Sequence, residues 1–412
     1  MNSAFRLLTK VGSIAVVAIV AAATIPSRTF RDRHVQESVV AGSPHDFMIV
    51  RHLKISGTNE QIGAELAKIA VSRHGYKPGF ADLALANKRR VWFETSFPVI
   101  AERATGVKDV LKTSNLDPFD LSYDLLNQPG CSTVFYPGPF TWNNHPILSR
   151  NYDFSTKTYA EMTGRESGPK DRAFTADPYI LELHPTKGYA TLAVVSYDLL
   201  MGCVDGMNDK GLTVALLADD ISRGAKPTHG AQPGLGEIEI PRFLLETCVT
   251  VDDAIKATKD LRRYYSFIPC HYIVGDANGN SCVIEWSIPE NKWSAVKGDG
   301  KPQIVTNHLV SQFPNRASFP DDPRPSGSFN RFCRMQDQVS GVDGELGLDQ
   351  IKAINQSVAA GPSISRDPKN GRTLWHSVYD LKAKTLEVSF YLGESTDGTG
   401  HVRKSPYLTF KL

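Results

Sequence analysis

Apolar positions recur at helical spacing in only a few stretches of the chain. Elsewhere they fall in short runs bounded by Gly, Pro, Asn and Asp, the pattern of strands joined by turns. Thr58-Asn-Glu-Gln61 forms a capping box, and Ile62, Leu66 and Ile69 follow it at helical spacing until Gly75 supplies a stop. A second helical region runs from about Pro241 through Leu244, Leu245 and Cys248. Thr250-Val-Asp-Asp253 then restarts a helix carrying Ala254, Ile255 and Leu261. Strands are predicted at residues 131–136, 146–152, 190–197, 212–218, 272–275, 281–286, 375–379 and 385–392. The segments 205–211, 276–280 and 380–384 read as turns between neighbouring strands. Successive hairpins with helices inserted between them indicate antiparallel sheets covered by helices, an α+β class. The polar, Gly- and Pro-rich segments 164–171, 222–236 and 314–327 read as long surface loops, and no internal repeat is evident.

Composition narrows the class. The 412 residues, 41% of them hydrophobic, suffice for one large domain or two ordinary ones. Forty-six basic against 44 acidic residues leave a formal charge of +2, which gives no electrostatic case for nucleic acid. The 11 histidines lack the spacing of a zinc site, and no metal or other cofactor is expected. The chain also lacks a GxSxG elbow, a P-loop and a GxGxxG turn. Arg6 and Lys10 precede the apolar run 11–24, which is short for a membrane span and ends near Ala21-Ala22-Ala23, a small-residue cleavage site. Residues 1–24 are therefore expected to be an export signal, for a periplasmic or extracellular protein. The alternative is an uncleaved anchor at residues 11–24, because Arg28, Arg31 and Arg33 follow closely. No later segment is long and apolar enough to span a bilayer. Of the six cysteines, at 131, 203, 248, 270, 282 and 333, Cys248 reads as core, and Cys270 and Cys282 flank a hairpin that a disulfide could bridge.

The chemistry concentrates at Gly130-Cys131. If the runs 131–136 and 146–152 pair antiparallel about residues 141–142, Cys131 falls opposite residues 151–153, beside Arg150 and Asp153. A cysteine at a strand start is, by itself, a packed core residue. An exposed Arg–Asp pair on a strand edge is worth only about 0–1 kcal/mol. A thiol beside a guanidinium and a carboxylate is also the material of an activated nucleophile. Asn208 reads as a turn residue, and Asp276 and Glu285 as hairpin and sheet-pairing residues.

The order of several segments resembles the acyl-CoA:6-aminopenicillanic acid acyltransferase family, related to choloylglycine hydrolases, penicillin V acylases and acid amidases. These are N-terminal nucleophile hydrolases. The segments are Ile55-Ser-Gly-Thr-Asn-Glu-Gln-Ile-Gly63, Gly130-Cys131, Arg150-Asn-Tyr-Asp153, Asp205-Gly-Met-Asn-Asp-Lys-Gly-Leu212, Val274-Gly-Asp-Ala-Asn-Gly279, Val283-Ile-Glu285, Thr306-Asn-His308 and Asn330-Arg-Phe332. The resemblance spans roughly residues 48–412.

It implies a four-layer αββα fold with two stacked antiparallel sheets, and a precursor that cuts itself between Gly130 and Cys131. Residues 25–130 would become a small fragment and residues 131–412 the catalytic domain. Cys131 would be the nucleophile and its freed α-amine the base. Asp153 would orient that amine, and Arg150 would lie beside the thiol. Asn307 would donate to the tetrahedral oxyanion, and Arg331 would brace the site. The substrate would be a small-molecule N-acyl amide, hydrolysed at a linear C–N bond or transferred to an amine acceptor. One departure concerns specificity. Bile-salt hydrolases carry a second oxyanion asparagine where this chain has Ala218 followed by Asp219. A reading of a different class is an exported binding protein that keeps the fold and never processes.

Overall fold

A computed structural model of the chain describes residues 34–77, 82–112, 130–196, 198–222, 228, 230, 232–264, 269–361, 371–395 and 401–412. The expected signal or anchor, part of the 222–236 loop and the segment leading to Gly130 lie outside the described residues.

Two strands, β1 (Val35–Gly42) and β2 (Ile49–Gly57), precede the helix that the capping box announces. In α1 (Asn59–His74), Thr58 Oγ1 accepts the Gln61 N–H and Gln61 Oε1 accepts the Thr58 N–H. The helix stops at Gly75 with φ 61°, a left-handed conformation that costs glycine little. Two helices that periodicity did not single out follow, α2 (Leu83–Ser96) and α3 (Pro98–Leu111). Both carry start signals: Asp82 caps α2, and Pro98 occupies the first turn of α3. The α1 and α3 helices cross at backbone contact. A Cβ on Gly106 would lie 1.9 Å from Glu60 O, so only glycine fits there.

The hairpin forms as expected from β3 (Gly130–Tyr136) and β4 (Ile147–Phe154), with Cys131 opposite Tyr152 and Gly130 opposite Asp153. A short helix, α4 (Tyr159–Met162), leads to β5 (Tyr179–Pro185), β6 (Thr191–Val195), β7 (Asp205–Asn208) and β8 (Thr213–Ala218). Here the turn expected at 205–211 is corrected. Its first four residues form β7, and only 209–211 turn. A strand with polar ends is stable there because both ends are bonded: Asp205 by Arg150, and Asn208 through its own Nδ2–H bonds to Leu245 O and Cys248 O.

The helices α5 (Glu239–Thr247) and α6 (Val251–Lys259) match the second helical region, with Thr250 and Asp253 forming the capping box of α6. The remaining elements are β9 (Cys270–Gly275), β10 (Ser281–Ser287), β11 (Lys292–Lys297), β12 (Gln303–Val305), α7 (Ser328–Ser340), α8 (Leu348–Gln356), β13 (Arg372–Asp380), β14 (Thr385–Glu394), β15 (Val402–Lys404) and β16 (Leu408–Lys411).

Among the described residues the strands form two sheets. One has the order β1-β2-β5-β6-β7-β8-β9-β10-β11. The other runs β12-β3-β4-β13-β14-β15, with β16 also on β14. The pairings are antiparallel except that of β2 with β5. The connection between those two strands carries α1–α4 and the β3–β4 hairpin, which is ample length for a parallel crossover.

Alternation along the strands divides the core into three layers. Leu53, Leu181, Val214 and Leu216 pack under α1–α3 and α5. Cys131, Leu148, Leu217, Ile273 and Trp375 lie between the sheets. Val134, Ile147 and Val378 meet α7 and α8 through Met335, Ile351 and Ile354. The result is a helix–sheet–sheet–helix sandwich, the four-layer αββα arrangement. All six cysteines are free. The Cys270–Cys282 bridge does not form, because Cys282 lies opposite Val274. Cys270 is four residues further along the strand, roughly 13 Å away at strand rise and beyond disulfide reach. Among the described residues, no helix is long and apolar enough to cross a membrane.

Candidate active site

Cys131 stands second in β3, on the face turned toward the other sheet, and is fully buried. Its three polar groups are each held by a different residue of the expected set. The sulfur accepts a hydrogen bond from Arg150 Nη2 at 3.4 Å. The backbone N–H donates to Asn307 Oδ1 at 2.8 Å. The carbonyl accepts from Arg331 Nη1. Arg331 also donates to Ser132 Oγ at 2.8 Å and to Asn307 Oδ1 at 2.6 Å, so it clasps β3 and the asparagine together.

The orientation of Asn307 is settled by its partners. Two obligate donors, Cys131 N–H and an Arg331 guanidinium N–H, converge on one atom, which must be the oxygen. The other atom lies 2.7 Å from Ala218 O, an obligate acceptor, and must be the nitrogen. With the Gly130–Cys131 peptide intact, Asn307 Nδ2 therefore spends one N–H on Ala218 and retains a second. Asp153 lies opposite Gly130 in the hairpin, and its Oδ1 accepts the Thr373 hydroxyl at 2.5 Å. A Cβ added to Gly130 would come 3.3 Å from Asp153 Cβ. Close approach of the carboxylate to the expected scissile peptide thus favours glycine. In the uncut chain the Cys131 nitrogen bonds Asn307 rather than Asp153.

Arg150 depends on a residue the sequence reading passed over. Its Nη1 bonds Asp205, fully buried at the start of β7, and its Nη2 bonds Leu216 O at 2.7 Å. Asp205 also accepts from the Trp375 indole N–H at 3.2 Å and from the Tyr379 hydroxyl. Three donors on one carboxylate make Asp205 the anchor of the arginine that faces the thiol. Its local signal, an aspartate directly after the apolar stretch Leu199–Val204 and before Gly206, is equally that of a turn. Tyr152 stacks on Trp375 with centroids 4.2 Å apart, and Arg150 lies over the Tyr152 ring at 4.9 Å. That is a second, cation–π, support for the guanidinium.

Burial governs the electrostatics. It pushes the Cys131 thiol up to about 11, against the pull of Arg150. Asp153 is likewise raised by burial, against Arg331 and the Thr373 hydrogen bond. The uncut chain therefore holds a neutral, shielded thiol. His308, next to Asn307, is pushed down to about 3 by burial and bonds Ser328 Oγ through Nδ1 at 2.9 Å, as a neutral structural imidazole. His145 bonds Asp380 at the far turn of the β3–β4 hairpin and is not brought to Cys131. Among the described residues, no group of three or more His, Cys, Asp or Glu is arranged to hold a metal ion.

The sequence matches the acyl-coenzyme A:6-aminopenicillanic acid acyl-transferase family over residues 141–395, a span that begins downstream of Cys131 and includes Arg150, Asp153, Asn307 and Arg331. No curated protein matches the chain by sequence. Penicillin V acylase from Agrobacterium tumefaciens superposes with a TM-score of 0.45 at 18% identity, covering 66% of this chain and 90% of that one. A mutant of conjugated bile acid hydrolase from Clostridium perfringens gives 0.44 at 14% identity, covering 69% and 97%. A Caenorhabditis elegans ortholog of N-acylethanolamine-hydrolyzing acid amidase gives 0.36 at 15% identity, covering 68% and 100%.

Proposed function

Because the chain belongs to the acyl-coenzyme A:6-aminopenicillanic acid acyl-transferase family, we propose that it is a self-processing enzyme of amide C–N chemistry with Cys131 as its N-terminal nucleophile. The observation that carries this reading is the threefold grip on Cys131, by Arg150 at sulfur, Asn307 at nitrogen and Arg331 at the carbonyl.

In the processing step, Cys131 sulfur attacks the Gly130 carbonyl carbon. The C–N bond breaks as the nitrogen takes the thiol proton, and water then cleaves the thioester to leave a Gly130 carboxylate. The freed α-amine has a reference pKa of about 7.7–8, so a large fraction is neutral near neutral pH and accepts the thiol proton in later turnovers. Asp153, opposite Gly130, is positioned to receive the resulting ammonium. Asn307 then offers its remaining Nδ2–H to the oxyanion of an N-acyl substrate. Sulfur attack on the substrate carbonyl gives an acyl thioester, and the amine proton leaves with the substrate nitrogen. Water releases the acid in a hydrolase, and a second amine takes the acyl group in a transferase.

Mass spectrometry of the purified chain tests the reading. Cleavage yields a fragment 131–412, about two thirds of the 45.3 kDa chain, starting with cysteine. Cys131→Ala leaves one uncut chain. If the wild type also stays intact and Cys131→Ala changes no activity, the protein is a non-catalytic member of the fold. The same spectrum reads the proposed export, through loss of residues 1–24. Partition of the thioester between water and added amines separates hydrolase from transferase.

A further inference from the structure

The β8 strand runs past the nucleophile. Arg150, which holds Cys131 sulfur, also holds Leu216 O, and Asn307, which holds Cys131 nitrogen, also holds Ala218 O. Residues of β8 alternate between the two faces of their sheet. Val214, Leu216 and Ala218 pack under the helices, whereas Ala215 and Leu217 share the inter-sheet layer with Cys131. The next residue on the Cys131 side is Asp219. The strand's pairing continues through it, since its N–H donates to Pro269 O at 2.9 Å, one step beyond the Ala218–Cys270 pair. Asp220 N–H donates to Asn307 O at 2.9 Å, which ties the far side of Asp219 to the same asparagine.

Asp219 is 1% exposed, and its two oxygens differ. Oδ1 accepts the N–H groups of Ile221 and Ser222 at 2.9 and 3.3 Å, closing the turn that leaves the strand. Oδ2 is buried with no hydrogen-bond partner among the described residues. A buried carboxylate oxygen without a donor is unfavourable unless something in the working protein supplies one.

Resting on the reading of Cys131 as an amide-cleaving nucleophile, we propose that Asp219 is a specificity-determining residue whose Oδ2 accepts a hydrogen bond from the nitrogen side of the scissile amide. The chemistry selects that half of the substrate. A carboxylate only accepts, so the substrate carbonyl and an apolar acyl chain offer it nothing. It would also repel a developing oxyanion, so the Asp219 side chain is no oxyanion donor. The donor nearest the scissile carbon of an N-acyl amide is its own N–H, followed by ammonium or hydroxyl groups on the leaving amine. The substrate class is therefore secondary amides, in preference to tertiary amides and esters of the same acid.

The test compares 4-nitroanilides with matching 4-nitrophenyl esters bearing acetyl, phenylacetyl and decanoyl groups, after subtracting the Cys131→Ala background. Asp219→Asn keeps an oxygen for the turn and replaces Oδ2 by a donor, so its fold is retained, as a melting curve checks. The ratio of kcat/KM for anilide to that for ester is expected to fall about tenfold or more, the worth of one hydrogen bond to a charged acceptor. Asp219→Glu, which retains an acceptor, recovers part of it. A purely structural role would lower both substrates together and leave the ratio fixed, which overturns the proposal. If the wild type processes at Gly130–Cys131 and the ratio is unmoved by Asp219→Asn, only the Asp219 assignment falls. If the wild type neither processes nor shows Cys131-dependent turnover, the nucleophile reading falls with it.

Discussion

Asp205→Asn is the sharpest probe of how the site is held together. The change conserves volume, so it opens no cavity, yet it removes the only carboxylate bonded to the Arg150 guanidinium among the described residues. Arg150 and Asp205 are both 0% exposed, and no solvent replaces the lost charge. Two further donors, Trp375 Nε1 and the Tyr379 hydroxyl, converge on the same carboxylate. An asparagine keeps an acceptor oxygen for Arg150 and Trp375, but its NH2 then faces the Tyr379 hydroxyl, which must turn from donating to accepting, and the negative charge opposite Arg150 is gone. Removing one partner of a buried ion pair costs about 3–5 kcal/mol. At about 2.1 cal/mol/K per residue, a body the length of His34–Leu412 unfolds with an entropy near 0.8 kcal/mol/K, so Tm falls by roughly 4–6 °C. Urea denaturation and calorimetry of the Cys131→Ala background, which keeps the chain uncut, measure the loss free of processing. In the Cys131-containing chain, appearance of the 131–412 fragment slows, because Arg150 no longer holds its place beside the sulfur. The double variant Arg150→Met/Asp205→Leu recovers most of the stability, since an apolar pair needs no desolvation of charge, while still failing to process. A loss below about 1 kcal/mol, the range of an exposed pair, would refute the reasoning that this ion pair is buried and indispensable.

Two further outcomes follow from buried charge. Arg103, 0% exposed on α3, bonds Glu246 of α5 at 2.7 Å and so ties the segment ahead of Gly130 to the segment behind it. Arg103→Met is expected to weaken that attachment by about 3–5 kcal/mol, read by size-exclusion chromatography as release of the small fragment from processed protein at lower urea than in the wild type. His376 bonds Ser149 and Tyr407 and is pushed down to about 3 by burial, with Lys404 and Lys352 adding to the effect. The unfolded chain binds this proton near pH 6.5 and the folded one does not, so stability falls with decreasing pH between about 6.5 and 3, by up to about 1.4 kcal/mol per unit. His376→Gln flattens that acid limb by about one proton, measured from urea midpoints between pH 4 and 6; an unchanged slope would place the proton uptake elsewhere.

Much of the local structure was legible because its causes are local. Thr58 with Gln61, Thr250 with Asp253 and Gly75 act within one turn of helix, and each acts where its pattern predicts. The β3–β4 hairpin is similarly short-range, so Gly130-Cys131 could be set against Tyr152 and Asp153 from spacing alone. Asp205 went unread for the opposite reason. Nothing near it in sequence distinguishes a turn aspartate from a buried one, and the partners that decide the matter are Arg150, Trp375 and Tyr379. The α2 and α3 helices were missed although Asp82 and Pro98 mark their starts; their apolar faces are interrupted by Arg89 and Arg103, which are buried only because Glu239 and Glu246 lie across the layer.

The sequence by itself determined the caps, the hairpin register, the αββα class through resemblance, and the residue types gathered around Cys131. Periodicity and turn chemistry act over a few residues, and the order of motifs carries the rest. Only the tertiary structure decided what those residues touch. It turned Asn307 toward the Cys131 nitrogen, set Arg331 on its carbonyl, tied β8 to the same Arg150 and Asn307, and left Asp219 after β8 with one buried oxygen unmet. Such pairings join positions up to 200 residues apart. Their strength comes from burial, which exists only once the two sheets have closed on each other.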